Sequence, residues 1–129
     1  MKIKLLFQGD SITDAGRSFE NPHLLGGGYV KYAAAYLQEA YPEMEFEFIN
    51  LGISGNQTKD LVARLDKDFV DIQPDIVSIL IGINDVWHEF GHENGVETSK
   101  FEKIYSMLIE EIKEALPDIK IMILEPFIL

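Results

Sequence analysis

Ile76-Val77-Ser78-Ile79-Leu80-Ile81 is a near-continuous apolar run, introduced by Pro74-Asp75 and closed by Gly82-Ile83-Asn84-Asp85. A strand with one wet face alternates apolar and polar residues. An unbroken run predicts a strand covered on both faces, as inside a parallel sheet. Working outward, strand-length apolar runs recur over 3–7, 46–50 and 119–124. Between them lie three stretches of helical period. The first, 28–41, carries Val30, Ala33, Ala34, Leu37 and Tyr41, with Pro42 as its stop. The second, 58–69, has Thr58 as a candidate cap and Leu61, Val62, Leu65 and Phe69 on one face. The third, 99–116, turns Phe101, Ile104, Tyr105, Leu108, Ile109 and Ile112 inward. Strands alternating with helices of this length predict parallel βαβ units with right-handed crossovers, an α/β fold. Ligands of such sheets bind beyond the carboxyl ends of the strands.

Composition narrows the classes. The chain has 129 residues, 47% hydrophobic, with no linker, repeat or low-complexity stretch, and reads as a single domain over 1–129. No run reaches the ~18 apolar residues of a membrane span. Met1-Lys2-Ile3-Lys4 enters a strand without an intervening apolar leader, so the expected location is cytoplasmic. Zero cysteines exclude disulfides and thiolate metal sites. The formal charge of −11 argues against a nucleic-acid partner. Glu39, Glu43, Glu45 and Glu47, and Asp60, Asp66, Asp68, Asp71 and Asp75, are expected to form a solvated surface. None of them shows the spacing of a calcium loop, and no metal is expected. Gly26-Gly27-Gly28 lacks the lysine and the preceding strand of a phosphate loop, and reads as a flexible helix entry.

The chemistry-bearing residues gather at three strand ends. Gly9-Asp10-Ser11 follows the first strand, and a small residue before the serine lets the chain turn so that its hydroxyl leaves the sheet edge. Residues 12–16 are expected to be a loop. Asn50-Leu51-Gly52-Ile53-Ser54-Gly55-Asn56 follows the second strand, and Gly82-Ile83-Asn84-Asp85 the third. A serine, a bare glycine amide and an asparagine amide are the parts of a nucleophile with an oxyanion hole. Asp10, Asp85 and Asn50 are expected to support these loops by hydrogen bonds, and Asp14 and Arg17 to pair and brace the serine loop. Trp87 and His88, just after Asn84, are candidates for a substrate wall. His23, His88 and His92 sit in polar segments and read as surface residues.

Gly9-Asp10-Ser11, Asn50-x-Gly52-x-x-Gly55 and Gly82-x-Asn84-Asp85 resemble the first three blocks of the SGNH (GDSL) hydrolases. Gly9-Asp10-Ser11-Ile12-Thr13-Asp14-x-Gly16-Arg17 and Ile81-Gly82-Ile83-Asn84-Asp85-Val86-Trp87 are similar to their bacterial acetylxylan esterase branch. The resemblance implies a flavodoxin-like three-layer αβα sandwich and serine esterase chemistry without metal or cofactor. It implies Ser11 as nucleophile, and the Ser11 amide, the Gly55 amide and the Asn84 side chain as the oxyanion hole. The implied reaction removes short acyl groups, O-acetyl above all, from carbohydrates. A lysophospholipase, a general short-chain esterase, and a non-catalytic fragment or pseudoenzyme are the alternatives. The family's fourth block, an Asp-x-x-His, has no match in these 129 residues, so the triad's histidine and aspartate are unassigned. The expectation is therefore a truncated domain lacking the last strand and helix. Its fourth strand or its 126–129 tail would then pair with another copy in a homo-oligomer.

Overall fold

The computed structural model describes residues 2–86 and 98–126. Along the chain run β1 (Lys2–Gly9), a short helix α1 (Ser11–Asp14), α2 (Tyr29–Ala40), β2 (Glu45–Asn50) and α3 (Thr58–Ala63). There follow a π-helical turn (Asp66–Val70), β3 (Ile76–Leu80), α4 (Thr98–Ala115) and β4 (Lys120–Leu124). The strands stand in the order β2-β1-β3-β4, every neighbouring pair parallel. The α/β fold with a parallel sheet is thus the observed one. Phe7 sits opposite Asn50 on one side of β1, and Gly9 opposite Leu80 on the other. This register brings the carboxyl ends of β2, β1 and β3 to one edge, side by side.

Helices cover both faces because successive side chains of a strand point to opposite sides. Leu6, Ile49, Val77 and Ile79 pack with Leu61 and Phe69 and with Leu108 and Ile112 of α4. Leu5 and Phe7 face the other way, against Val30 of α2 and its half-buried neighbours Ala33 and Leu37. The run that predicted a doubly covered strand behaves so: Val77, Ser78, Ile79 and Leu80 are all buried. On α4 the covered stripe is narrower than its periodicity suggests. Leu108 and Ile112 are fully buried, while Phe101, Ile104, Tyr105 and Ile109 are only half covered. Met122 and Ile123 of β4 are each 53% exposed.

The helix expected over 58–69 is divided. Gln57, not Thr58, is its cap, and the Gln57 N–H donates to Asp60 Oδ2 (2.7 Å) in a capping box. The helix stops at Ala63, and the Asp71 N–H then reaches back five residues to the Asp66 carbonyl (2.9 Å). That wider turn keeps Phe69 in the core while the Asp68 carbonyl accepts from Gln8 Nε2 (2.7 Å). A π turn inserts a residue into the 3.6 period without interrupting the apolar spacing, so the pattern hides it.

The acidic stretch lies at the surface as expected, Asp66, Asp71 and Asp75 exposed and Asp60 and Asp68 half-buried, and some of its carboxylates also hold the chain. Asp60 completes the capping box, Asp68 pairs with Arg64 (3.1 Å), and Asp75 Oδ2 accepts the Lys4 N–H (2.8 Å) at the entry to β1. Carboxylates accept charge-assisted bonds from backbone donors wherever a helix or strand begins.

Candidate active site

Gly9 ends β1 where a side chain has no room. A Cβ there would run into the Leu80 carbonyl and the Thr13 side chain. The next residue, Asp10, caps α1: its Oδ1 accepts the Ile12 N–H (3.0 Å), and Asp14 N–H closes onto the Asp10 carbonyl (2.8 Å). The expected loop over 12–16 is therefore a helical turn that starts at Ser11, followed by Ala15 in the left-handed region (φ 41°). The cap explains the difference, since Asp10 satisfies an amide that a loop would leave to water. Ser11 is exposed at the first position of this turn, and neither its hydroxyl nor its N–H bonds a protein group among the described residues.

The segment leaving β2 is tied to this turn from several directions. Asn50, fully buried, donates from Nδ2 to the Thr13 carbonyl (2.7 Å) and the Leu25 carbonyl (2.9 Å), and its Oδ1 accepts the Gly52 N–H (2.9 Å). Ile53 N–H donates to the Gly9 carbonyl (3.0 Å), and Asp14 Oδ2 accepts both the N–H and the hydroxyl of Ser54 (3.0 Å each). Arg17 does not form the expected ion pair with Asp14. Its Nε donates to the Gly52 carbonyl (2.7 Å) and its Nη1 to the Ser18 carbonyl (3.2 Å), while the Asp14 carboxylate is taken by Ser54. Both residues reach the β2 loop rather than each other, because backbone groups there need partners in a buried place. Gly55 then turns at φ +87°, a conformation that side chains resist, with its Cβ direction open. The Gly55 N–H also has no partner among the described residues.

The third strand end supplies Asn84, in a helical turn over 83–86. Its Nδ2 donates to the Asn56 carbonyl (3.0 Å), which sets the amide beside the Gly55 segment and leaves its second hydrogen without a partner among the described residues. Asp85 Oδ2 accepts both the N–H and the hydroxyl of Thr58 (3.2 Å each), docking the start of α3 onto this turn. Ser11, Gly55 and Asn84 thus stand at three adjacent strand ends laced together by hydrogen bonds. Trp87 and His88 lie outside the described residues, as does His92. The one described histidine, His23, is exposed and engaged by Glu47 Oε2 (3.1 Å) and Asn21 Oδ1 (3.2 Å).

Asp10 and Asp85 are each 1% exposed. Burial pushes both carboxyls above the ordinary carboxylate range. For Asp10 the Ile12 N–H opposes the rise and the nearby Asp85 charge adds to it; for Asp85 the Thr58 donors oppose it and Asp60 adds. A carboxyl whose pKa is raised by folding holds its proton longer in the folded chain. Its contribution to stability is present below its unfolded pKa of about 4 and is lost as pH rises through the folded value. Asp85→Asn removes that loss. In urea unfolding, the stability of the variant relative to the parent is expected to rise from about pH 4 to about pH 7. A difference that stays constant or falls would contradict the assignment.

Three residues were given no part in the site by the sequence, Thr58 being read only as a helix cap and Asn56 only as the end of the second strand-end segment. Asn56 and Arg64 hold the Gly55 segment, and Thr58 docks α3 onto Asp85. Arg64 had one visible signal, its four-residue spacing from Asp68. Among the described residues no group of three or more His, Asp or Glu side chains is placed to hold a metal ion, and no helix is long and apolar enough to cross a membrane.

The GDSL-like lipase/acylhydrolase family profile matches residues 7–128. The chain belongs to the GDSL-like lipase/acylhydrolase family. Within it, the chain is 43% identical over 127 residues to an acetylxylan esterase of Geobacillus stearothermophilus, an alignment covering 92% of this chain and 58% of that protein. The crystal structure of that esterase superposes with a TM-score of 0.84 over 94% of this chain and 58% of its own. A Parabacteroides merdae protein described as a GDSL-like lipase superposes with a TM-score of 0.91 at 38% identity, over 98% of this chain and 61% of its own. The family member described here therefore spans about three-fifths of the length of these relatives. Catalytic variants of the Geobacillus esterase replace a serine, an aspartate or a histidine by alanine, the last two being three positions apart.

Proposed function

We propose that these residues form the nucleophile and oxyanion-hole part of a serine ester hydrolase that removes short acyl groups, above all O-acetyl groups of carbohydrates. One observation carries the reading. An exposed serine hydroxyl without a protein partner stands among two unused backbone amides and a spare asparagine N–H at three neighbouring strand ends. Such an arrangement suits attack of Ser11 Oγ on an ester carbonyl. The carbonyl oxygen becomes an oxyanion that accepts from the Ser11 and Gly55 N–H groups and Asn84 Nδ2. Collapse expels the protonated alcohol and leaves an acyl-serine, and water releases the acid. Asp10 and Asn50 hold the serine turn, and Asp14, Arg17 and Asp85 hold the loops around it.

The proton acceptor for Ser11 is an imidazole, and His23 is committed elsewhere. The paired aspartate and histidine named in the Geobacillus variants supply the chemistry this step needs. Similarity to an acetylxylan esterase supports the acetyl preference, and no cofactor or metal enters the scheme. The test is acyl selectivity in a chain that carries these residues and an Asp-x-x-His pair. Acetyl esters, p-nitrophenyl acetate and acetylated xylo-oligosaccharides, should turn over with kcat/KM at least about tenfold above p-nitrophenyl octanoate, roughly the least that one surplus methylene costs in a tight pocket. Preference for octanoate would overturn the short-acyl assignment, and absence of acyl transfer from any ester to Ser11 would make the domain a binding module.

A further inference from the structure

We infer that Arg64 is the positioning residue of the oxyanion loop, a role that rests on the esterase reading of Ser11, Gly55 and Asn84. Arg64 ends α3, and its side chain is 14% exposed. Its guanidinium reaches the end of β1 and two points of the segment that leaves β2. Nε donates to Asn56 Oδ1 (3.0 Å), Nη1 to the Leu51 carbonyl (2.9 Å), and Nη2 to the Gly9 carbonyl (3.4 Å), while Asp68 balances the charge at Nη1 (3.1 Å). Gly9 lies two residues before Ser11, Leu51 begins the segment that leaves β2, and Asn56 follows Gly55. One rigid planar group therefore ties the strand that delivers the serine to both ends of the loop that delivers the glycine amide.

Asn56 passes the constraint on. Its side chain is held by Arg64, and its backbone carbonyl takes Asn84 Nδ2 (3.0 Å). Its N–H closes a turn onto the Ile53 carbonyl (3.1 Å), with Gly55 inside that turn. Gly55 is the one residue of the turn with neither a side chain nor a backbone donor bond to hold it, and it sits in a conformation many residues avoid. Its amide direction is consequently set by its neighbours, and Arg64 fixes the neighbour that also fixes Asn84. Arg17 grips the next carbonyl of the same segment, at Gly52 (2.7 Å), so two guanidinium groups hold consecutive peptide units. A lysine ammonium keeps the charge and can meet Asp68, but it cannot serve three acceptors in a plane.

The decisive measurement is side-chain and backbone amide NMR of the 15N-labelled chain. In Arg64→Lys, the Asn84 side-chain amide should exchange with solvent at least about tenfold faster and the Gly55 amide resonance should move, while Leu6 and Ile79 amides keep their protection. Unchanged Asn84 exchange and an unmoved Gly55 resonance in a folded Arg64→Lys chain would overturn the role. Should that variant lose its fold, Asn56→Ala and Asn56→Asp decide. The alanine should loosen Asn84 and the aspartate, which still accepts from Arg64, should restore it; equal protection in both would overturn the role. The readout does not depend on turnover, so a failed esterase reading, seen as undiminished hydrolysis by Ser11→Ala, stays distinct from a failed positioning role.

Discussion

Ser11→Ala is expected to abolish ester hydrolysis in a chain that carries these residues and an Asp-x-x-His pair. Among the described residues at the three strand ends, Ser11 has an exposed hydroxyl without a protein partner, whereas the Ser54 hydroxyl donates to Asp14 Oδ2 (3.0 Å). The carboxylates of Asp10 and Asp85 are buried and already bonded to Ile12 and Thr58. Where a complete triad operates, loss of the serine costs on the order of 10⁶ in kcat. The oxyanion donors and substrate binding alone leave roughly 10³-fold over water. The check is p-nitrophenyl acetate hydrolysis, together with mass spectrometry of the chain after a fluorophosphonate probe. In a chain that carries these residues and an Asp-x-x-His pair, the parent should gain one phosphonyl group on Ser11 and the variant none. A variant that hydrolyses at the parent rate, or a label on another residue, would sink the nucleophile assignment.

Asn84→Ala should be the second largest loss. One hydrogen of Nδ2 holds the Asn56 carbonyl and the other has no partner among the described residues; on the proposed function it serves the oxyanion, so the substitution would remove a donor and loosen its neighbour together. A single oxyanion donor is worth on the order of 10²–10³ in kcat, because its bond strengthens only as charge develops on the oxygen. KM should change little by comparison. Steady-state kinetics on acetyl esters separate the two, and a rise in KM with kcat preserved would make Asn84 a ground-state contact instead.

The parallel sheet was legible because 76–81 is apolar without interruption and 3–7, 46–50 and 119–124 repeat its length between helical periods. The three loops that hold Ser11, Gly55 and Asn84 were equally legible, since each carries glycine, serine or asparagine directly after an apolar run. The helical turn at Ser11, the division of 58–69 and the partners of Asp14 and Arg17 were not. Each depends on which buried donor finds which acceptor. That pairing joins residues far apart in the chain, such as Arg17 with Gly52 and Asp85 with Thr58.

The sequence by itself determined the alternation of strands and helices, the residue types at each strand end and the family to which they belong, because apolar period and turn chemistry are local properties. Only the tertiary structure decided that Arg64 and Asn56 are hydrogen-bonded to each other beside Gly55, that burial raises the Asp10 and Asp85 carboxyls, and that Gly9 must lack a side chain. Those facts follow from close approach between segments. A buried polar group takes its partner from whatever the packed chain brings within about 3 Å.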